Sequence, residues 1–96
     1  MRKGKTQSGF VYEFDETRLD DMRFVDVMAV VVDENAKEFD QIVAVSKLVE
    51  MLLGKDLKEK LYNHLAEQNG GRVPISAFKK ALEEIMTGSG EVELKN

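Results

Sequence analysis

The sequence predicts a mainly α-helical protein, in which a short N-terminal β-strand or hairpin is followed by three to four packed helices. Three observations predict this fold. Aromatic residues alternate with other residues at positions 10–14, which is the two-residue period of a strand. Nine of the twelve residues at positions 42–53 are apolar, which is typical of a helix covered on most sides. At positions 55–87, apolar residues recur every three or four residues, as in helices with one buried face.

The composition limits the chain to one small domain and excludes several classes of protein. The 96 residues contain no cysteine, which excludes disulfides and zinc–thiolate sites. The net charge of -4 argues against nucleic acid as a partner. No apolar run reaches the ~20 residues of a membrane span, and the first residues lack the apolar core of a signal peptide. We therefore expect a single domain at residues 1–96, soluble and cytoplasmic, with residues 1–7 and 88–96 flexible.

The first ordered element is expected to be the aromatic strand. A Ser-Gly pair before it predicts a turn. Phe10, Tyr12 and Phe14 would lie on one side of this strand because successive side chains point to opposite faces. We expect the aromatic face to lie on the helices. The strand either stands alone or pairs with residues 3–7 as a hairpin, and the sequence leaves both arrangements open.

A first helix is expected at residues 17–32, with Asp15 or Thr17 as its cap. The valine-rich end is also typical of a strand, but residues 19–29 are too long and alternate too poorly for one. On a helix, the apolar residues form two stripes on nearly opposite faces. One stripe is enough for the core of a monomer, so the other is a candidate contact surface. The first stripe consists of Met22, Val25, Ala29 and Val32, and the second consists of Phe24, Val27, Met28 and Val31.

The remaining helices are delimited by glycines and a proline. The apolar central helix is expected from about Ala36 to Gly54, which would supply a left-handed stop. A third helix follows at residues 55–69 and ends at a Gly-Gly pair. Pro74 can open a fourth helix that runs to about Thr87. The apolar face of this fourth helix consists of Ile75, Phe78, Leu82, Ile85 and Met86.

We predict no catalytic, cofactor or metal site. His64 is the only histidine, and without a second imidazole or a thiolate it makes no transition-metal site. Gly54 and Lys55 lack the surrounding glycines of a phosphate loop. The helix–loop–helix at residues 57–82 resembles an EF-hand in outline, but Arg72 lies inside the loop and no glutamate follows at the ligand position. The acidic pairs are interpreted as dipole or surface charges: Asp20 with Asp21, and Glu83 with Glu84.

Several stretches, taken together, resemble the tail assembly chaperones of long-tailed bacteriophages and prophages of Gram-positive hosts. The stretches are GFVYEFDE at 9–16, LDDM at 19–22, LVEMLLG at 48–54, and YNHL at 62–65 leading to GRV at 71–73. The resemblance covers residues 8–86 and rests on packing and turn residues. It implies a non-catalytic homo-oligomer in the host cytoplasm that coats the tape measure protein before the tail tube polymerises. It also implies contact with the tail tube protein through a longer, frameshifted form.

The apolar surplus of the first two helices is the candidate surface for these contacts. We predict that the second stripe and the outer face of the central helix carry self-association and client binding. The predicted residues are Phe24, Val27, Met28, Val31, Val45, Leu48, Val49 and Leu52. An alternative is a small helical adaptor or regulatory protein that binds one partner helix in an apolar groove. The two functions differ in the complex that forms. A coat forms an extended assembly, whereas an adaptor forms a stoichiometric complex with its partner.

Overall fold

A computed structural model describes residues 1–88 and confirms the predicted fold class. An antiparallel hairpin is followed by a 3₁₀ turn and three α-helices. Residues 89–96, which belong to a segment expected to be flexible, lie outside the described residues. The elements are β1 (Arg2–Lys5), β2 (Val11–Phe14), the 3₁₀ turn (Glu16–Leu19), α1 (Met22–Val32), α2 (Glu38–Gln68) and α3 (Ile75–Thr87).

The N-terminal segment is part of the fold, so the prediction that residues 1–7 are flexible is wrong. β1 pairs with β2, which settles the choice between strand and hairpin. Thr6 is 1% exposed, and its hydroxyl oxygen accepts a hydrogen bond from the N–H of Phe10 at 3.1 Å. The Arg2 guanidinium donates to the carbonyl oxygen of Met86 at 2.9 Å. The partner of Arg2 lies 84 residues along the chain, and composition alone does not reveal it.

The predicted aromatic face of β2 is confirmed. Phe10, Tyr12 and Phe14 are 5%, 1% and 3% exposed, whereas Val11 between them is 63% exposed. The rings of Tyr12 and Phe14 stack with centroids 6.2 Å apart, and Phe10 lies 5.7 Å from the ring of His64. The hairpin therefore covers α2 with its aromatic side and presents its other side to solvent.

α1 is a helix, as predicted, but it begins later than expected. Asp15 caps the separate 3₁₀ turn, and Asp21 caps α1 by accepting the N–H of Arg23 at 2.9 Å. The side chain and the N–H of Arg23 hold the pKa of Asp21 below its usual value of 3.8. The carboxylate form therefore stabilises the folded state above about pH 4. This contribution to stability is lost as the pH falls through the lowered pKa that Asp21 has in the folded protein.

α2 is broken at Gly54, where the sequence predicted a helix stop. Gly54 has φ 84° and ψ 168°, a conformation that is essentially restricted to glycine. The break divides α2 into an N-terminal arm, residues 38–53, and a C-terminal arm, residues 55–68. The Arg18 guanidinium donates to the carbonyl oxygen of Leu52 at 2.8 Å. It thereby binds one of the carbonyl groups that lack helical partners at a helix end.

Gly54→Ala is expected to destabilise the protein by about 1–3 kcal/mol, which is the usual cost of holding a side chain in such a backbone conformation. Beyond the adjoining backbone and the two neighbouring residues, no atom lies within 4 Å of the added Cβ, so the cost comes from the backbone conformation. Urea denaturation would measure it. D-alanine at position 54, introduced by peptide ligation, is the matched control, because a D-residue favours positive φ. An equal loss of stability for both alanines would contradict this explanation.

The core lies where the hairpin, both arms of α2 and α3 meet. Its most enclosed members have no exposed surface: Leu48, Val49, Leu52, Leu61 and Ile85. Glu84 is also buried, at 6% exposure, and its carboxylate accepts the N–H of Gln7 at 3.0 Å. The interpretation of Glu84 as a surface charge is therefore wrong, since the turn of the hairpin covers it.

Candidate interaction surface

The eight residues predicted for self-association lie in or against the core. Five are buried: Phe24, Val45, Leu48, Val49 and Leu52. The other three, Val27, Met28 and Val31, are half-buried against them. The prediction that the Phe24 stripe is the unoccupied face of α1 is therefore wrong. A phenylalanine ring buries more apolar area than valine, so the stripe that contains it packs inward.

The opposite face of α1 is the exposed one. Met22, Val25 and Val32 are 69%, 47% and 68% exposed, and Ala29 between them is also exposed. We call these four residues the α1 stripe. Their spacing of three, four and three residues places them along one side of the helix, which is the pattern of helices that pair with another helix.

A second apolar surface lies between α3 and the α1–α2 pair, and we call it the α3 trough. It consists of two adjoining depressions of about 380 Å³ and 680 Å³, which share Val45 and Lys79. The walls of the first depression include Ile42, Tyr62, Ile75 and Phe78. The walls of the second include Met28, Val31, Leu82 and Met86. The trough is apolar along its floor and open to solvent.

Aromatic rings and lysines give the α3 trough its chemical character. The rings of Tyr62 and Phe78 have centroids 5.4 Å apart, and the ammonium group of Lys58 lies 5.7 Å from the Tyr62 centroid. Lys79 and Lys80 are exposed at the trough, and neither forms an ion pair with any residue in 1–88. The edge of the trough is therefore cationic although the protein as a whole is acidic.

A third apolar surface, which we call the seam, lies along α1 and the first turns of α2. Its groove measures about 520 Å³. Phe39 and Val43 project into solvent there, at 73% and 47% exposure. The groove is lined by Asp26, Val27, Val30, Phe39, Asp40, Val43, Ala44 and Lys47. Two carboxylates and one ammonium group thus surround an apolar strip.

The predicted contact residues do not include Phe39 and Val43, although the sequence pattern contains a signal for them. On a helical wheel, both residues fall in the same arc as Ser46, Lys47 and Glu50, the polar residues of the central helix. Apolar side chains that share the solvent-facing arc are expected to be exposed. The high apolar content of residues 42–53 concealed this arrangement.

A side-chain amide fixes the relative position of α1 and α2. Nε2 of Gln41 donates to the carbonyl oxygens of Val31 at 3.2 Å and Asp33 at 2.8 Å. These carbonyl groups lie at the end of α1, where helical partners are missing. The seam and the walls of the trough formed by α1 and α2 are therefore held in one arrangement.

Two features of the described residues bear on metal binding and catalysis. Residues 1–88 contain no group of three histidine, cysteine or acidic side chains close enough to hold a metal ion. Nε2 of His64 lies 3.0 Å from Oγ of Ser8, a distance that a nucleophile and its base would have. Within residues 1–88, however, no carboxylate orients the other ring nitrogen of His64. This hydrogen bond joins the hairpin turn to α2, and Nε2 of Gln68 does the same by donating to the carbonyl oxygen of Ser8 at 3.0 Å.

Comparisons with known proteins identify no relative. The chain matches no family model, no curated protein and no solved structure. Among residues 1–88, no helix has both the length and the apolar character that crossing a membrane requires.

Proposed function

We propose that this protein is a phage or prophage tail assembly chaperone, which self-associates and coats the tape measure protein during tail morphogenesis in the host cytoplasm. It acts by binding and performs no catalysis. The observation that supports this proposal is the presence of three apolar surfaces open to solvent: the α1 stripe, the α3 trough and the seam. A coat protein needs contacts with its neighbours and a further contact with its client, so it needs more than one such surface.

The exposed apolar residues are concentrated in α1 and the first turns of α2. Single apolar residues are common on protein surfaces, whereas clusters of them mark interaction sites. Met22, Val25, Val32, Phe39 and Val43 all belong to residues 22–43 and are all at least 47% exposed. These five side chains would thus be available for contact with another protein.

We assign the α1 stripe to the client. A tape measure protein is a long helical chain whose apolar positions aggregate unless they are covered until the tube forms. A row of apolar side chains on a helix can pair with such positions without forming a permanent core. Met22 adapts to irregular partners because its side chain is unbranched and flexible. The tail tube protein is a further proposed partner, which meets the coated tape measure when the tube polymerises.

The alternative function, a helical adaptor, requires only one groove. The α3 trough alone would serve it, and the α1 stripe and the seam would then have no role. The presence of all three surfaces on one small chain therefore favours the coat.

Light scattering on a size-exclusion column, over a concentration series, tests this proposal. We expect the mass to grow beyond a dimer, and many copies to co-elute with one tape measure protein from the same genome. Val25→Glu with Val32→Glu should abolish co-elution with the client while the helicity is unchanged. Val11→Glu, on the exposed side of the hairpin, is the matched control and should bind as the wild type does. A strict monomer or dimer that ignores the tape measure protein would contradict the proposal and favour the adaptor.

A further inference from the structure

We infer that copies of this protein associate head to tail, with the seam of one copy docked in the α3 trough of the next. This inference rests on the proposed function, because it assigns the contact by which the coat self-associates. The occupant of the trough is a second copy of this chain, and the α1 stripe remains available for the client.

The two surfaces carry complementary charges. The seam has the carboxylates Asp26 and Asp40 against one lysine, Lys47. The trough has the ammonium groups of Lys79 and Lys80 against one carboxylate, Glu83. These side chains are all exposed, and no ion pair within residues 1–88 involves any of them. Unpaired charges of opposite sign steer two surfaces together and fix their register.

The first depression of the trough is also large enough for the side chain that projects from the seam. Phe39 is the most exposed aromatic residue at the seam, at 73% exposure, and would enter the trough first. A cavity of about 150 Å³ is large enough to hold a benzene molecule. The first depression of the trough is about 380 Å³, so it can accept the phenyl ring and part of Val43. Tyr62 and Phe78 line this depression and offer ring faces and edges to the incoming aromatic side chain.

The seam and the trough lie on different sides of the layer formed by α1 and α2. On α2, Val43 belongs to the seam and Val45 to the trough, and they are about 200° apart on the helix. On α1, Val30 and Met28 are separated by the same angle. One copy can therefore bind a second copy at its seam and a third at its trough. Each contact leaves one seam and one trough unoccupied, so further copies add and form an open chain or, if the rotation between neighbours closes, a ring.

A complementation experiment tests the head-to-tail contact. Phe39→Glu disables the seam, and the double variant Lys79→Glu, Lys80→Glu disables the trough. All three positions are exposed, so each variant should keep the helicity and the Tm of the wild type. Alone, each should associate at least tenfold more weakly than the wild type. Mixed in equal amounts, they still have one intact seam and one intact trough between them. The mixture should therefore form a species of two chains and grow no further.

Two control variants and one combination that restores the charge match complete this experiment. Val11→Glu places the same charge on an exposed apolar residue outside both surfaces, and it should leave assembly unchanged. Lys55→Glu with Lys60→Glu reverses two exposed lysines that do not line the trough, and it should also leave assembly unchanged. Asp26→Lys with Asp40→Lys should weaken assembly. Combining it with the lysine reversals at the trough should restore assembly, since the charges then match again.

The possible results separate this inference from the proposed function. If the wild type assembles but the seam and trough variants assemble equally well, or their mixture stays monomeric, the head-to-tail contact is wrong and the coat remains. If the wild type assembles and the double variant Val25→Glu, Val32→Glu does not, the α1 stripe is the self-association surface. The head-to-tail inference is then overturned. If the wild type is monomeric at every concentration, the proposed function fails together with the inference.

Discussion

Phe24→Glu is expected to unfold the protein, whereas Met22→Glu, two residues earlier on the same helix, is expected to leave it folded. Phe24 is 5% exposed in the core and Met22 is 69% exposed. Removing a buried phenylalanine ring costs about 3–5 kcal/mol, and burying an unpaired carboxylate adds to that cost. A domain of this size has a free energy of unfolding of roughly 5–14 kcal/mol, so most or all of it would be lost. Met22→Glu should change the free energy of unfolding by about 0.5 kcal/mol or less.

Circular dichroism during thermal and urea denaturation measures both variants. Each variant is the control for the other, since both place the same charge on α1 but on opposite faces of the helix. A folded Phe24→Glu together with an unfolded Met22→Glu would show that α1 faces the core with its other stripe. In that case the α1 stripe would no longer be available for a client.

Tyr12→Ala is expected to reduce the free energy of unfolding by about 3–5 kcal/mol, the usual cost of removing a large buried aromatic side chain. Tyr12 is 1% exposed and is the largest of the fully buried side chains. Val11→Ala, in the same strand but 63% exposed, is the matched control and should cost about 0.5 kcal/mol or less. The two substitutions remove side chains from opposite faces of β2, so the difference between them measures packing on the helices.

Urea denaturation followed by both circular dichroism and tyrosine fluorescence would measure this difference. Coincident transitions are expected, because the hairpin and the helices share one core. A variant in which the hairpin detaches while the helices keep wild-type stability would show that the hairpin is a separate unit.

The elements that the sequence predicted correctly are those determined by local chemistry. The aromatic face of β2 follows from a two-residue period, and the break in α2 follows from one glycine at position 54. Other features depend on contacts between distant parts of the chain. β1 has no apolar pattern of its own, and it is ordered by pairing with β2 and by the hydrogen bonds of Arg2 to the end of α3. Glu84 is buried because the turn of the hairpin covers it.

The candidate surfaces were harder to predict, because periodicity gives the faces of a helix without their partners. α1 has two apolar stripes of four residues each, and hydrophobicity alone did not identify the one that faces the core. The size of Phe24 was the available signal, since large aromatic residues contribute most to a core. The charges of the α3 trough come from α3 and those of the seam from α1 and α2, so no single stretch of sequence displays their complementarity.

The break at Gly54 also bears on how copies of this chain can exchange parts. An unbroken helix of 31 residues would be about 46 Å long, whereas the longest dimension of the molecule is 39 Å. If residue 54 became helical, the C-terminal arm and α3 would leave the core of their own chain. The C-terminal arm and α3 could then pack against the hairpin and the N-terminal arm of a second copy, which is the arrangement of a domain-swapped dimer. The break at this glycine therefore lets both arms of α2 pack in the core of a single chain.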